Sequence, residues 1–216
     1  MSLLTFAAGK AAGKVAGKAA GKVLGGFFIT AAADILFDAA DCVIKNTLCD
    51  RVAPCRGSVI RVDLAGRQFV TSDLCHTGIY LGDDKVAELT SDDHTWETYV
   101  RIISLERFLR GDGLSLRTGL FVYTACRKDF RGICRSVGSE AAARRAEEAA
   151  GKTWGKYALL SNNCHMFCRY CLTGERNKGT FTLGSVESEL CRIGRTADIC
   201  WRSTGAGRFN GGSISA

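Results

Sequence analysis

The chain has 216 residues, 46% of them hydrophobic and 24% charged, with a formal net charge of +7. This is ordinary globular composition, which excludes a fully disordered chain. Four of the positive charges are lysines in the first 22 residues, so no basic groove for a nucleic-acid partner is expected. Eleven cysteines are an odd number in a chain without an evident signal peptide, which indicates free thiols in a reducing, cytoplasmic compartment.

Residues 1–54 are predicted to form an N-terminal segment that is separate from the domain after it. Lysines recur every four residues from position 10 to position 22, among Ala, Gly and Val, and would make a basic stripe on a helix. Residues 23–44 are apolar with three aspartates on one helical face, which indicates an amphipathic rather than a spanning helix. Two interpretations of residues 1–44 stay open: a helix packed on the domain, or a peripheral segment lying in a membrane surface.

A change of composition at Pro54 predicts the start of a sheet. Runs rich in β-branched residues predict strands at 59–64, 68–72, 76–81 and 85–90, and further along at 100–104 and 116–126. Gly82-Asp83-Asp84 predicts a three-residue turn, so that the strands on either side form a hairpin. A short helix is expected at 105–109, ending at Gly111.

Two features predict helices in the second half of the chain, and a C-terminal extension follows them. Ser139–Ala150 has a Ser N-cap, an Ala-rich interior and Gly151 at its end. Asn163 is a good N-cap for a helix that starts at Cys164 and ends at Gly174. Residues 175–216 are expected to be a C-terminal extension, with an apolar stretch at 186–193 and a loose, Gly/Ser-rich tail from 203 onwards.

Cys164 is the candidate nucleophile, because the free N–H groups and the dipole at a helix N-terminus lower the pKa of a thiol there. Three alternatives stay open: a buried helix that happens to be rich in cysteine, an iron–sulfur site, and a zinc site with His165. Cys164, Cys168 and Cys171 have the spacing of the cluster motif of radical enzymes, but only 45 residues follow, too few for the barrel of those enzymes. No second cysteine pair lies at zinc-finger spacing, so no metal or other cofactor is expected.

A thiol nucleophile needs a base, and the chain offers only His76, His94 and His165. His165 follows Cys164 on the same helix, and successive helical residues diverge by about 100 degrees, so it is expected to face away. His94 lies in a polar loop and is expected to be solvated. His76 begins a strand and is therefore the predicted base.

Glu88 is predicted to orient His76. If residues 82–84 form a three-residue turn, Gly78 pairs with Glu88, which then lies on the same face of the sheet as His76. A two-residue turn is expected to move Glu88 to the opposite face and to remove it from the site. The alternative for Glu88 is an ordinary exposed carboxylate on a strand.

These motifs resemble those of the lecithin retinol acyltransferase-like family, which includes the small phospholipase/acyltransferases. The segment His76–Leu89 is similar to the first box of that family, and Asn163-Cys164 matches the start of its nucleophile motif. Residues 57–64 are similar to its opening strand and residues 146–151 to its approach to the nucleophile. The resemblance extends over about residues 55–174.

The sequence departs from the family pattern at two places. Glu88 stands where the family has a second His, and a carboxylate can also orient an imidazole. His165-Met166-Phe167 follows the nucleophile in place of the family's Glu/Gln-His-Phe. The second departure affects the expected substrate preference and leaves the nucleophile unchanged.

The resemblance implies an α+β catalytic domain at 55–174, with an antiparallel sheet packed against helices in a circularly permuted papain-like (NlpC-type) arrangement. It implies acyl transfer or phospholipase A-type hydrolysis of phospholipid or other acyl esters through a thioester on Cys164, with His76 and Glu88 completing the site. The alternatives are a cysteine peptidase or amidase of the NlpC kind, and a membrane-associated adaptor with a degenerate site. Under the lipid interpretation, the protein is expected in the cytoplasm, peripheral at a membrane through residues 1–44.

Overall fold

The computed structural model describes residues 51–64, 75–92, 94–112, 117–158, 161–176 and 181–207. The predictions for residues 1–44 and for a strand at 68–72 lie outside these ranges. Among the described residues, no helix has the length and apolar character needed to cross a membrane.

Eight strands form one antiparallel sheet in the described part of the chain. Along the sheet their order is β6-β5-β1-β2-β3-β4-β7, and β8 also pairs with β5. In chain order they are β1 (Val59–Leu64), β2 (Cys75–Gly82), β3 (Lys85–Ser91), β4 (Glu97–Ser104), β5 (Arg117–Lys128), β6 (Cys134–Ser136), β7 (Thr153–Lys156) and β8 (Cys200–Gly207).

Four helices lie within the described ranges: α1 (Leu105–Arg110), α2 (Glu140–Ala149), α3 (Cys164–Thr173) and α4 (Leu183–Gly194). The predicted caps form, since Ser139 Oγ accepts from Ala142 N and Asn163 Oδ1 accepts from Met166 N. Gly174 ends α3 in the left-handed conformation that favours glycine. Together with the antiparallel sheet, these helices confirm the α+β class.

The sheet has a hydrophobic core on each face, because successive residues of a strand point to opposite sides. Val59 and Ile79 face a core that contains the buried side chains of α2, α3 and α4. Ile60 and Tyr80 face a smaller core closed by Phe108 and Leu109 of α1. The hairpin that carries His76 and Glu88 is therefore held between two packed layers.

The C-terminal part is more ordered than the sequence indicates. The prediction of a loose tail from residue 203 is wrong for 203–207, because β8 extends through Gly207 and pairs with β5 from Phe121 to Cys126. Residues 208–216 lie outside the described ranges. β6, β7 and β8 were not predicted, because runs of three or four residues and a strand with two glycines give weak periodic signals.

Candidate active site

Cys164 is the first residue of α3, and α3 packs against β2 and β3. Its N-cap Asn163 is buried and bonded on both sides of its amide: Oδ1 accepts from Met166 N, and Nδ2 donates to the carbonyl oxygen of Phe181 at 2.9 Å. Cys164 Sγ is half-buried and lies 3.8 Å from the carbonyl oxygen of Cys75 at the start of β2. The helix tip therefore holds the thiol directly at the strand that carries His76.

The environment of Cys164 favours its thiolate. Burial raises the pKa of the thiol. The electrostatic effect of His165 and the charge and hydrogen bond of His76 lower it by more, so that the pKa is about 5. Thr77, which follows His76 on β2, also forms a hydrogen bond with the sulfur and lowers this pKa. Near neutral pH the sulfur is therefore an anion in contact with an imidazole.

His76 lies on β2 between the thiol and a carboxylate. Its ring Nε2 is 2.8 Å from Glu88 Oε2, and an ionised carboxylate can only accept, so Nε2 carries a proton. This leaves Nδ1 as the ring nitrogen for the hydrogen bond with Cys164. The ring lies against Phe108, with centroids 5.4 Å apart.

The pKa of His76 is raised above its usual value. Burial and the Arg117 charge lower the pKa, but the Cys164 thiolate and the hydrogen bonds to Cys164 and Glu88 raise it by more. The pKa of His76 is raised and that of Cys164 is lowered partly because each charge stabilises the other, as in a thiolate–imidazolium pair.

Glu88 is fully buried and holds three partners with its two oxygens. Oε1 accepts from Arg101 Nε at 2.8 Å and Nη2 at 2.6 Å, while Oε2 accepts from Arg117 Nη2 at 2.7 Å and from His76. Burial raises the pKa of this carboxyl, but His76 and the two arginines lower it to about 2. Glu88 is thus a buried, ionised carboxylate bonded to His76, and not the exposed carboxylate of the alternative interpretation.

The hairpin that brings Glu88 to His76 differs from the predicted one. Its turn has two residues, Asp83 and Asp84, with φ of 48° and 55°, the positive values that a type I′ turn requires. Between Tyr80 and Gly82, β2 contains one extra residue, so Gly78 still pairs with Glu88. The expectation that a two-residue turn would remove Glu88 is therefore wrong, because the bulge restores the register.

The other two histidines do not replace His76. His94 is exposed in the loop before β4, as expected, and its backbone N–H donates to Asp92 Oδ1. His165 is buried, and its Nδ1 lies 3.2 Å from Thr77 Oγ1. It affects Cys164 through its electrostatic field.

Cys168 and Cys171 are buried in the core beneath α3, and burial raises the pKa of both thiols. Within the described ranges, no group of three or more His, Cys, Asp or Glu side chains is placed to hold a metal ion.

Three contributors to the site were missed from the sequence: Thr77, Arg101 and Arg117. The arginines are 13 and 29 positions from Glu88, on β4 and β5, and no motif joins them to it. Arg101 lies opposite Glu88 in the pairing of β3 with β4, so it could have been found from the sequence if the register of those two strands had been predicted.

A sequence model of the family described as lecithin retinol acyltransferase matches residues 56–177, which is more than half of the chain. The chain belongs to the lecithin retinol acyltransferase family. Lecithin retinol acyltransferase of Mus musculus is 33% identical over 136 residues, covering 56% of this chain and 55% of the relative. The protein of that name from Rattus norvegicus is 34% identical over 134 residues, covering 55% of this chain and 54% of the relative. The chain thus spans about half the length of these curated relatives.

Cys164, His76 and Glu88 all lie within the part of the chain that matches the lecithin retinol acyltransferase family. The permuted papain-like arrangement fits this family and stays a prediction. The boundaries of the catalytic domain at residues 55 and 174 also stay a prediction.

Proposed function

We propose that the chain is a thiol acyltransferase or phospholipase A-type hydrolase that takes an acyl group from a phospholipid ester onto Cys164. The observation that carries the proposal is the contact of a low-pKa thiol with an imidazole whose far nitrogen is bonded to an ionised, buried carboxylate. A thiolate, a proton carrier and an orienting group in this order are what nucleophilic acyl transfer requires.

In the first step, Cys164 Sγ attacks the ester carbonyl carbon, and the carbonyl π electrons move to its oxygen. The backbone N–H of Cys164, at the tip of α3, is a candidate donor to that oxyanion. When the tetrahedral species collapses, the C–O bond to the glycerol breaks. The His76 imidazolium gives its proton to the leaving alkoxide, so a lysophospholipid departs and a thioester stays on Cys164.

In the second step, His76 is neutral and accepts a proton from water or from an alcohol. The oxygen attacks the thioester, and the sulfur leaves as a thiolate. Glu88 stays ionised throughout, since its pKa of about 2 lies far below that of His76, and it stabilises the imidazolium in both steps.

The substrate class rests on the family. The name of the curated relatives gives lecithin, a phospholipid, as one substrate and retinol as another. A phospholipid acyl ester is therefore the proposed donor. For this chain, water or an alcohol serves as acceptor.

The decisive experiment traps the thioester. The protein is incubated with detergent-solubilised phospholipid, quenched in acid and digested with trypsin, which releases Tyr157–Arg169 with both Cys164 and Cys168. We expect an acyl mass on this peptide, assigned to Cys164 by fragment ions and removed by hydroxylamine. Acyl groups on Cys168 alone would contradict the proposal.

A parallel assay with peptide and amide substrates tests the peptidase or amidase alternative. Turnover of these substrates without lysophospholipid formation would favour that alternative. An inert Cys164 with every substrate would favour an adaptor with a degenerate site.

A further inference from the structure

Three cysteines on three strands lie together at one end of β5, apart from the catalytic thiol. Cys126 lies near the end of β5, Cys134 begins β6, and Cys200 begins β8. Both shorter strands pair with β5: Cys134 is opposite Lys128, and Cys200 is opposite Cys126. The pairing pattern of β5 therefore brings the thiols of two other strands to the same end of the sheet.

Two of these sulfurs are in van der Waals contact. Cys134 Sγ and Cys200 Sγ are 3.5 Å apart, although the residues are separated by 66 positions in the sequence. Both side chains are half-buried, so a small solute reaches them, whereas Cys126 is buried. Closing the gap to a disulfide bond length requires a movement of about 1.5 Å.

One sulfur of the pair, that of Cys134, accepts a hydrogen bond from a guanidinium. Arg202 is two residues after Cys200 on β8, and its Nε donates to Cys134 Sγ at 3.2 Å. Reactive cysteines typically lie in electropositive, partly exposed surroundings, and Cys134 has both features. Cys126 is the poorer nucleophile, because burial raises the pKa of its thiol to about 12.

We propose that Cys134 and Cys200 are a second thiol site, a redox-active pair that a peroxide oxidises to an intramolecular disulfide. The Cys134 thiolate attacks one oxygen of hydrogen peroxide, and the O–O bond breaks. This forms a sulfenic acid at Cys134 and hydroxide, which takes up a proton as water. The Cys200 thiol then attacks the sulfenic sulfur, the S–O bond breaks, and a second water leaves. Two thiols are oxidised and one peroxide is reduced.

The disulfide would tether β6 to β8 and close a loop that contains α2, α3 and α4. Since α3 carries Cys164, the cross-link would hold together both ends of the segment that positions the catalytic thiol. The site does not depend on the proposed acyl transfer, and it can be tested without any acyl substrate.

The test uses the reduced full chain. It is treated with hydrogen peroxide at less than one equivalent per thiol, blocked with N-ethylmaleimide and digested with trypsin without reductant. Trypsin places the thiols in separate peptides, Gly132–Arg135 for Cys134, Thr196–Arg202 for Cys200 and Thr118–Arg127 for Cys126. The expected product is the first peptide joined to the second, released by dithiothreitol and accompanied by a higher melting temperature of the oxidised protein.

Two variants complete the test. Cys200→Ser should abolish the cross-link and leave a sulfenic acid at Cys134, which dimedone labels. Cys191→Ser is the matched control, because Cys191 is also half-buried but its Sγ contacts the carbonyl oxygen of Ala197. This control should form the cross-link in the same yield as the wild type.

Either of two results would overturn the proposal. One is a cross-link that joins Thr118–Arg127, or a peptide of another cysteine, in place of the expected pair. The other is recovery of Cys134 and Cys200 as separate alkylated thiols after Cys191 has been oxidised. If Cys200→Ser does not fold, the peptides recovered from the oxidised wild-type protein still show whether Cys134 and Cys200 form a disulfide.

Discussion

At the scale of the residue, the site is a chain of charges that alternate in sign. The Cys164 thiolate lies beside the His76 imidazolium, and His76 is bonded to the Glu88 carboxylate. Two arginines, Arg101 and Arg117, form ion pairs with the same carboxylate. Glu88 is fully buried, and a lone buried carboxylate would take up a proton instead of staying ionised. His76 and the two arginines together therefore keep this buried carboxylate ionised.

The first prediction concerns the pH dependence of Cys164. Because the pKa of its thiol is lowered to about 5, alkylation by iodoacetamide should reach half of its maximal rate near that pH and stay constant through neutrality. His76→Ala removes the opposite charge and should move this midpoint upward by about 1 to 3 pH units. Mass spectrometry of the alkylated peptides measures the rate at each cysteine. Faster reaction at Cys168 or Cys171 would show that the assignment of the nucleophile is wrong.

The second prediction concerns Glu88→Gln. Arg101 and Arg117 are only 18% and 8% exposed, and this change would take away their buried, charged partner. We therefore expect a loss of about 3 to 5 kcal/mol in the free energy of unfolding, together with a higher thiol midpoint. Urea denaturation at pH 7 measures the loss.

The same contribution of Glu88 should disappear in acid. Its pKa is lowered from 4.5 to about 2 in the folded protein, so the stabilisation is present above pH 4.5 and is lost as the pH falls towards 2. The wild type and Glu88→Gln should therefore converge in stability at low pH. Glu106→Gln is the control, since that carboxylate forms an exposed pair with Arg110 and should change stability by less than about 1 kcal/mol. Equal stability of the wild type and Glu88→Gln at pH 7 would exclude the buried ion-pair network.

The identity of Cys164, His76 and Glu88 as candidates could be predicted because each depends on local pattern. A cap before a helix, a histidine on a strand and the parity of a hairpin are all read over fewer than 20 residues. The arginines could not be predicted, since Arg101 reaches Glu88 through the pairing of β4 with β3, and Arg117 reaches it from β5, which pairs with β1 and not with β3. Which buried charges meet across a sheet is decided by tertiary packing.

At the scale of the element, the β2–β3 hairpin combines a tight turn with a bulge. The sequence predicts where the turn lies, but a three-residue turn and a two-residue turn with a bulge give the same pairing of Gly78 with Glu88. The predicted face of the sheet for Glu88 is therefore correct, although the predicted turn length is wrong. The helices were easier, because Ser139 and Asn163 have side chains that bond the first turn whatever lies beyond it.

The third prediction tests the space at Gly78. A Cβ on this residue would lie 2.9 Å from Phe108 Cε2, from Val86 Cγ1 and from the carbonyl oxygen of Ala87. Gly78→Ala should therefore lower the free energy of unfolding by about 1 to 3 kcal/mol through overpacking. Because Phe108 lies against His76, the change should also shift the pH midpoint of Cys164 alkylation.

Gly184→Ala in α4 is the matched control. Its new Cβ would meet only Thr182 Oγ1 at 3.7 Å, an ordinary contact, and alanine favours the helix. The control should be as stable as the wild type or more so, with an unchanged midpoint. A Gly78→Ala protein that matched it in both measurements would show that β2, β3 and α1 are not tightly packed at this point.

At the scale of the whole molecule, residues that follow the predicted domain pack against α3, the helix that begins at Cys164. The predicted domain ends at residue 174 and the family match at residue 177, yet Asn163, the cap of the nucleophile helix, donates to the carbonyl oxygen of Phe181. Phe181, Val186 and Leu190 are buried in the core that contains α3. The sequence signal fades after Gly174 because Val186 and Leu190 are spaced along one helix without a motif of their own, and Phe181 lies before that helix.

The fourth prediction is that a variant ending at Arg176 does not fold. Each large apolar side chain removed from the core costs about 1.5 to 3 kcal/mol, and several such losses match the whole stability of a typical domain. A variant ending at Gly207 keeps α4 and β8 and should melt like the full chain. Circular dichroism and thermal melts compare the three proteins, and a folded chain ending at Arg176 with a low-pKa Cys164 would contradict the prediction.

The fifth prediction concerns residues 1–44, for which the membrane interpretation rests on sequence. Four lysines among Ala, Gly and Val face no acid in their own segment, and each contributes about 1 kcal/mol near an anionic surface. Deleting residues 1–44 should therefore weaken binding to vesicles of phosphatidylserine and phosphatidylcholine, and should lower activity on lipid in those vesicles. Activity on a short-chain soluble ester should be unchanged. The cut leaves in place Val52, whose N–H donates to the carbonyl oxygen of Ser203 in β8.

A variant with the four lysines changed to glutamine separates the charge effect from the loss of the apolar residues after them. It should bind anionic vesicles more weakly than the wild type, with the difference decreasing as salt is raised, because exposed charges are screened. Binding to vesicles of phosphatidylcholine alone should be the same for both proteins. If deletion of residues 1–44 gives an unfolded or insoluble protein, the segment packs on the domain. The role of the charged stripe is then decided by the lysine variant, whose unchanged affinity for anionic vesicles would contradict the membrane hypothesis.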